Sequence, residues 1–148
     1  MPELSRYLFL LGAVPFMVLG AMHAWHTPTR LDEKKGLSPR DEGVARAMAT
    51  TTPRLTARTD LWRAWVGFNY SHSLGAVLFG AFVLLIGRSA ESFALEATFA
   101  VPLALAISLV YLVLALKYWF RTPAIGVGLS VGCFVLSWLL LFVDGPTR

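Results

Sequence analysis

The chain has 148 residues, of which 56% are hydrophobic and 15% are charged, and its formal charge is +4. Ordinary soluble domains contain about 45–50% apolar and about 25% charged residues, so this composition indicates a membrane protein of one domain. The lone Cys133 excludes a disulfide framework within the chain. A nucleic-acid partner is not expected, because the basic residues are concentrated in one loop beside the apolar segments.

Four apolar segments have the length of membrane spans. Each is close to the roughly 20 residues that cross a bilayer core as a helix, and an unclosed segment in lipid satisfies its backbone only as a helix. The sequence therefore predicts an all-α polytopic membrane protein, a four-transmembrane-helix bundle forming a single integral membrane domain over residues 1–148. The predicted spans are residues 7–25, 65–86, 93–118 and 125–143.

Two further features concern the nature of the first span and the packing of the spans. The first is expected to be an uncleaved span, because its apolar run is long for a signal peptide and Arg6 is the only basic residue before it. Small residues four apart allow helices to approach closely. This spacing occurs at Gly20 and Ala24, at Ala76 and Gly80 and at Gly128 and Gly132, which predicts helix–helix contacts at all three pairs.

The hydrophilic loop 28–61 separates the first two spans. Within it, SPRDEGVARAMA predicts a short amphipathic helix, with Ser38 as its N-cap and Pro39 at its first position. If the amino terminus were cytoplasmic, three of the thirteen Lys and Arg residues would lie on that side and ten on the other. Because cytoplasmic loops carry an excess of Lys and Arg, we expect the termini outside and this loop in the cytoplasm.

The second span begins with an unusually polar stretch, GFNYSHSLG at residues 67–75. Helical spacing places Trp65, Asn69 and His72 on one face, with Tyr70 and Ser73 on an adjoining flank. An ionisable side chain within a span indicates a functional site by default. A purely structural interpretation stays open, in which the polar side chains form hydrogen bonds to a neighbouring helix. Each such bond stabilises a membrane protein by about 0.6–2 kcal/mol.

The natural partner of this stretch is His23, near the end of the first span, because the end of one span and the start of the next meet the same side of the membrane. We therefore predict a polar pocket near the cytoplasmic face, formed by the first two spans. Its expected ligand-binding residues are His23, Arg63, Trp65, Asn69, His72 and Ser73.

Three functions fit this inventory. The first is an accessory subunit of a larger membrane complex or a lipid- or pigment-binding protein. The second is a membrane-embedded enzyme acting on a lipophilic substrate, with His72 as general acid or base and Asn69 or Tyr70 donating to an oxyanion. The third is a haem b protein with His23 and His72 as axial ligands. The sequence indicates no other metal site and names no cofactor; the expected partners are the bilayer and a larger complex or a homo-oligomer.

The pattern GFN-x-SHS-x-G, here spanning Gly67 to Gly75, resembles that of small uncharacterised bacterial inner-membrane proteins with four predicted spans. The resemblance covers the whole chain and implies a four-span topology in a bacterial inner membrane. It implies no activity and no residue role. In size and topology the chain also resembles the membrane-associated glutathione and eicosanoid enzymes. WRAWVGFNYSHS departs from the spacing of that family, so no residue role is carried over.

Overall fold

The computed structural model describes residues 2–143, and every regular element in that range is an α-helix. Four of the helices are long and apolar enough to cross a membrane, which confirms the predicted all-α class with four candidate spans and a short loop helix. The helices extend beyond the predicted spans, mostly at their amino-terminal ends, where polar residues continue the helix past the apolar run. The five helices are α1 (Pro2–His26), α2 (Glu42–Thr50), α3 (Leu61–Gly87), α4 (Ala90–Tyr118) and α5 (Arg121–Val143).

Side-chain caps define where two of the long helices begin. Asp60 precedes α3, and its Oδ1 accepts a 2.7 Å bond from the backbone N–H of Arg63. Ser89 precedes α4, and its Oγ accepts a 3.1 Å bond from the backbone N–H of Ser92. Each cap satisfies one of the amide groups that have no partner within the first turn of a helix.

The cap of the loop helix differs from the prediction. Helix α2 begins at Glu42, and its N-cap is Asp41, whose side chain accepts a backbone N–H in the first turn. The prediction of Ser38 as the cap is therefore wrong. The Ser38 hydroxyl instead accepts from the backbone N–H of Lys35 and donates to the carbonyl of Glu33. Its bonding capacity is used to close the turn that precedes α2.

The chain forms two compact units. The first unit comprises residues 1–19 and 76–148, and its described part contains α4, α5, the start of α1 and the second half of α3. The second unit is Gly20–Gly75, which contains the end of α1, the loop with α2 and the first half of α3.

All four long helices contribute to the core of the first unit, and aromatic rings dominate that core. The ring of Phe9 on α1 lies 5.4 Å from that of Phe93 on α4 and 5.7 Å from that of Phe134 on α5. Two turns further along α1, the ring of Phe16 meets that of Tyr111 on α4 edge to face, with centroids 5.2 Å apart. Such edge and tilted contacts stabilise aromatic pairs beyond the area they bury.

Two interhelical polar contacts accompany this core. The hydroxyl of Ser5 donates to the carbonyl of Ser137, and the hydroxyl of Ser137 donates to the carbonyl of Ser5, both at 2.9 Å. Arg6 Nη1 donates to the carbonyl of Gly87 at 3.0 Å, at the last residue of α3. The start of α1 is thereby joined to α5 and to the end of α3, where the carbonyl of the last residue has no partner within its own helix.

Close helix approach in the first unit depends on glycines that face other helices. A Cβ added to Gly12 would lie 2.6 Å from Cε1 of Phe134, and one added to Gly80 would lie 2.7 Å from Met17 and 3.2 Å from a backbone carbonyl of α1. The contact predicted at Gly80 is thus confirmed. No such contact occurs at Gly128 or Gly132, where nothing lies within 4 Å of an added Cβ.

We expect Gly12→Ala to destabilise the protein by about 1–3 kcal/mol, the usual cost of overpacking. The fully buried Phe134 ring cannot yield easily to the added methyl group. The matched control is Gly128→Ala, which adds the same methyl group where there is space. Thermal unfolding of both variants in detergent checks this, and equal melting temperatures would contradict the proposed contact.

Glu33 organises the beginning of the first loop. Its carboxylate accepts bonds from the backbone N–H and the hydroxyl of Thr29, each at 3.0 Å, and lies 3.3 Å from Nζ of Lys35. The bond from the Thr29 amide is the main reason that the pKa of Glu33 lies below its ordinary value of 4.5. The loop therefore holds this carboxylate in its charged form.

Because the pKa of Glu33 is lowered on folding, its contribution to loop stability is complete above its unfolded pKa and is lost as the pH falls through its folded pKa. We expect the protection of the Thr29 amide against hydrogen exchange, corrected for its intrinsic exchange rate, to fall on acidification from pH 6 to about pH 3. In Glu33→Gln, the exchange of this amide, corrected for its intrinsic rate, should no longer change over that range. Hydrogen exchange followed by NMR measures both; an unchanged acid response in the variant would contradict the assignment.

Candidate functional site

The polar cluster in the second unit is built around the side-chain amide of Asn69, which is 4% exposed. Its Nδ2 donates a 2.8 Å bond to the carbonyl of Trp65, one turn earlier on α3. Its Oδ1 lies 2.8 Å from Nε2 of His23 on α1. Both ends of the amide are therefore engaged, one with its own helix and one with the neighbouring helix.

These two contacts determine the protonation of the His23 ring. A carbonyl only accepts hydrogen bonds, so the Asn69 group facing Trp65 must be the amide nitrogen. The oxygen then faces His23, and because an amide oxygen also only accepts, Nε2 of His23 must carry the proton. His23 is thus a donor to Asn69, and its Nε2 is not available as a base or as a metal ligand in this arrangement.

His72 lies on the same face of α3 as Asn69 and contacts His23. The two imidazole rings meet edge to face, with centroids 5.0 Å apart and an interplanar angle of 66°. The ring of Phe68 lies 6.4 Å from that of His72 and is nearly parallel to it, at 15°. His72 is half-buried and Phe68 is 65% exposed, so these two rings form an outward-facing surface on the span.

The structure brings only some of the predicted site residues together. His23, Trp65, Asn69 and His72 form the cluster. Ser73 is buried beside them, but its hydroxyl donates to the Asn69 carbonyl at 2.9 Å and satisfies its own helix.

Two predicted residues lie outside the cluster. The side chain of Tyr70 is exposed and makes no hydrogen bond within the described part of the chain. Arg63 is also exposed, in the first turn of α3, and only its backbone amide is bonded, to Asp60.

Phe68 and Thr27 also belong to the cluster, although they are not among the residues predicted to form the site. Phe68 precedes His72 by four residues, which is the helical spacing for neighbours on one face. The hydroxyl of Thr27 donates to the His23 carbonyl at 2.8 Å and satisfies the end of α1. Both could have been found by applying the i, i+4 rule to each histidine.

The arrangement restricts the chemistry of the cluster. An oxyanion donor must aim at the reacting atom rather than at the protein, but the Asn69 amide is bonded to Trp65 and oriented by that bond. Tyr70, the other predicted donor, is not joined to the cluster. His72 is the remaining candidate for general acid or base, so the geometry supports the enzyme interpretation less than binding.

A haem with two histidine ligands requires imidazoles on opposite faces of the porphyrin, each bound through a ring nitrogen. Here the two rings touch edge to face, and Nε2 of His23 is used by Asn69. The pair as arranged does not fit a haem, and we assign it no role in haem chemistry. Within residues 2–143, no group of three or more His, Cys, Asp or Glu side chains is placed to hold a metal ion.

Comparisons with protein-family models, with curated proteins and with solved structures found no match to this chain.

Asn69→Leu removes both hydrogen bonds while keeping a side chain of similar size. We expect a loss of about 1–2 kcal/mol of stability, the range measured for polar contacts between helices in membranes and for hydrogen bonds generally. Ser71→Ala is the matched control, because Ser71 is exposed and its hydroxyl bonds only to the Phe68 carbonyl.

Thermal unfolding in detergent and the NMR signal of the His23 ring measure the two effects of Asn69→Leu. The proton on Nε2 of His23 should be visible in the wild-type protein and in Ser71→Ala, and should exchange rapidly in Asn69→Leu. An unchanged His23 signal in Asn69→Leu would contradict the assigned hydrogen bond.

Proposed function

We propose that this chain is a small integral membrane protein that binds a lipid or a pigment at the His23–Asn69–His72 cluster. The observation that carries the proposal is the outward-facing pair of near-parallel rings, Phe68 and His72, within an apolar span. The same surface would serve an accessory subunit that docks a helix of a larger membrane complex, and the experiment below separates the two roles.

An ionisable side chain within a membrane span indicates a functional site by default, and the imidazole of His72 is only half-buried on such a span. A lipophilic molecule with one polar group gains from both parts of the surface. Its polar group bonds to the imidazole, and its apolar body lies against the 65% exposed Phe68 ring. Ligand sites of this type combine an apolar lining with a few fixed polar groups.

The binding role is favoured over catalysis because the Asn69 side chain orients a neighbouring ring and does not face a ligand. Its bonds to Trp65 and His23 fix the orientation of the first imidazole, and His23 in turn supports the ring of His72. Such an arrangement preorganises a surface, and preorganisation improves affinity by lowering the entropy lost on binding.

We place the protein in a bacterial inner membrane, with its first loop in the cytoplasm and its termini outside. The excess of Lys and Arg in loop 28–61 supports this orientation, and the resemblance of residues 67–75 supports the bacterial source.

An Arg58→Cys substitution in a Cys133→Ala background tests the orientation. A membrane-impermeant thiol reagent should label this cysteine in inverted vesicles and not in intact cells; the opposite result would reverse the topology.

The ligand can be sought directly in the purified full-length protein. We expect solvent extraction and mass spectrometry to recover one lipophilic compound at about one molecule per chain, with visible absorption if it is a pigment. His72→Ala should reduce its recovery by about tenfold, equivalent to about 1.4 kcal/mol of binding free energy. Ser71→Ala, the adjacent exposed substitution, should retain it.

Circular dichroism and thermal unfolding confirm that both variants are folded. If no compound is enriched over bulk lipid and His72→Ala only lowers the melting temperature, the cluster is structural and the proposal is wrong. A stoichiometric protein partner lost in His72→Ala would establish the accessory-subunit role instead.

A further inference from the structure

A second concave site lies in the first loop and α2, within the second unit. It is a cavity of about 520 Å³, which is within the usual range for small-ligand sites. Trp62, which is 5% exposed, forms part of its wall. Four cationic side chains line it, namely Lys34, Lys35, Arg40 and Arg46.

Two of the acidic side chains at this cavity have partners other than its arginines. Asp32 accepts two bonds from Arg30, at 3.0 and 2.8 Å. Glu33 accepts two bonds from Thr29 and forms an ion pair with Lys35, one of the four lining cations, at 3.3 Å. Neither carboxylate is therefore available to neutralise the arginines that line the cavity.

Glu42 is the third acidic residue, and its ion pairs are weak. Its carboxylate lies 3.6 Å from Nζ of Lys34 and 3.8 Å from Nη2 of Arg46, and all three side chains are at least 70% exposed. Charge-assisted hydrogen bonds are about 2.7–2.9 Å long, and exposed ion pairs contribute only about 0–1 kcal/mol. Glu42 is thus a loosely held counterion between two cations.

Arg40 completes the cationic side of the cavity. Within the described residues, its guanidinium makes no ion pair and no hydrogen bond. A guanidinium binds phosphate oxygens through two parallel N–H groups, whereas an ammonium acts as a point charge. The cavity thus offers two such forks, Arg40 and Arg46, with Lys34 beside them.

We propose that this cavity binds a phosphate-bearing anion through Lys34, Arg40 and Arg46, and that the Glu42 carboxylate occupies the place of that anion when no ligand is bound. Trp62 is the second residue of a candidate span. The cavity therefore lies at the amino-terminal end of α3, where the chain is expected to enter the membrane. The anion can therefore be an anionic phospholipid headgroup or a soluble phosphate ester. This proposal does not depend on the function proposed for the His23–Asn69–His72 cluster.

Calorimetric titration of the full-length protein in detergent, at low ionic strength, tests the proposal with three probes. Dihexanoyl phosphatidylglycerol presents the anionic headgroup, dihexanoyl phosphatidylcholine controls for the acyl chains, and glycerol 1-phosphate presents the soluble ester. We expect phosphatidylglycerol to bind more tightly than phosphatidylcholine. Binding of glycerol 1-phosphate as well would identify a soluble ester as sufficient, and its failure to bind would identify the lipid as the source.

Substitutions assign the binding to this cavity. Arg40→Gln combined with Arg46→Gln should weaken binding at least tenfold. Glu42→Gln should strengthen it several-fold, because the competing carboxylate is removed. Arg58→Gln is the control, since Arg58 is an exposed cation of the same loop that does not line the cavity.

All of these side chains are exposed, so the variants should fold, and circular dichroism checks this. The proposal is overturned if none of the anionic probes binds, or if Arg58→Gln weakens binding as much as the double variant does. Weaker binding in Glu42→Gln would likewise overturn the role assigned to that carboxylate.

Discussion

Hydrocarbon supplies no hydrogen-bond partners, so each buried polar side chain within the long helices must be satisfied by the protein itself. In this protein the requirement is met by two kinds of bond. Some hydroxyls return to their own helix, as Ser73 and Ser108 do with carbonyls four residues earlier. Others join two helices, as Ser5 and Ser137 do. Within the described residues, no buried side-chain nitrogen or oxygen lacks a partner.

The His23–Asn69–His72 cluster is a consequence of the same requirement. Asn69 satisfies its amide nitrogen on its own helix and is then left with an oxygen that only a donor can satisfy. His23 supplies that donor, and the bond specifies which of its nitrogens carries the proton. One buried amide thus orients an imidazole on another helix, and that ring contacts His72. The outward-facing rings of His72 and Phe68 are the part of the cluster that a ligand or a partner helix can reach.

The first loop follows a different physical rule, because water screens its charges. Most of its ion pairs are exposed and individually weak, whereas the bonds that shape it are those of Glu33 with Thr29 and of Ser38 with Lys35 and Glu33. A carboxylate such as Glu42, held at 3.6–3.8 Å by exposed cations, is therefore easily displaced. In this loop, the strength with which each charged side chain is held, rather than its burial, determines which charges a ligand could replace.

The sequence by itself determined the helical class, the four candidate spans and the face shared by Trp65, Asn69 and His72, because apolar length and the 3.6-residue period are local properties. The predicted proximity of His23 also followed from the connection of two consecutive spans. Only the tertiary structure decided that Asn69 bonds to His23 and that Gly12, rather than Gly128, lies against another helix. Those contacts depend on the rotation of each helix about its axis. In the first unit that rotation is set by the packing of rings such as Phe9 and Phe134 across the core, which no single helix specifies.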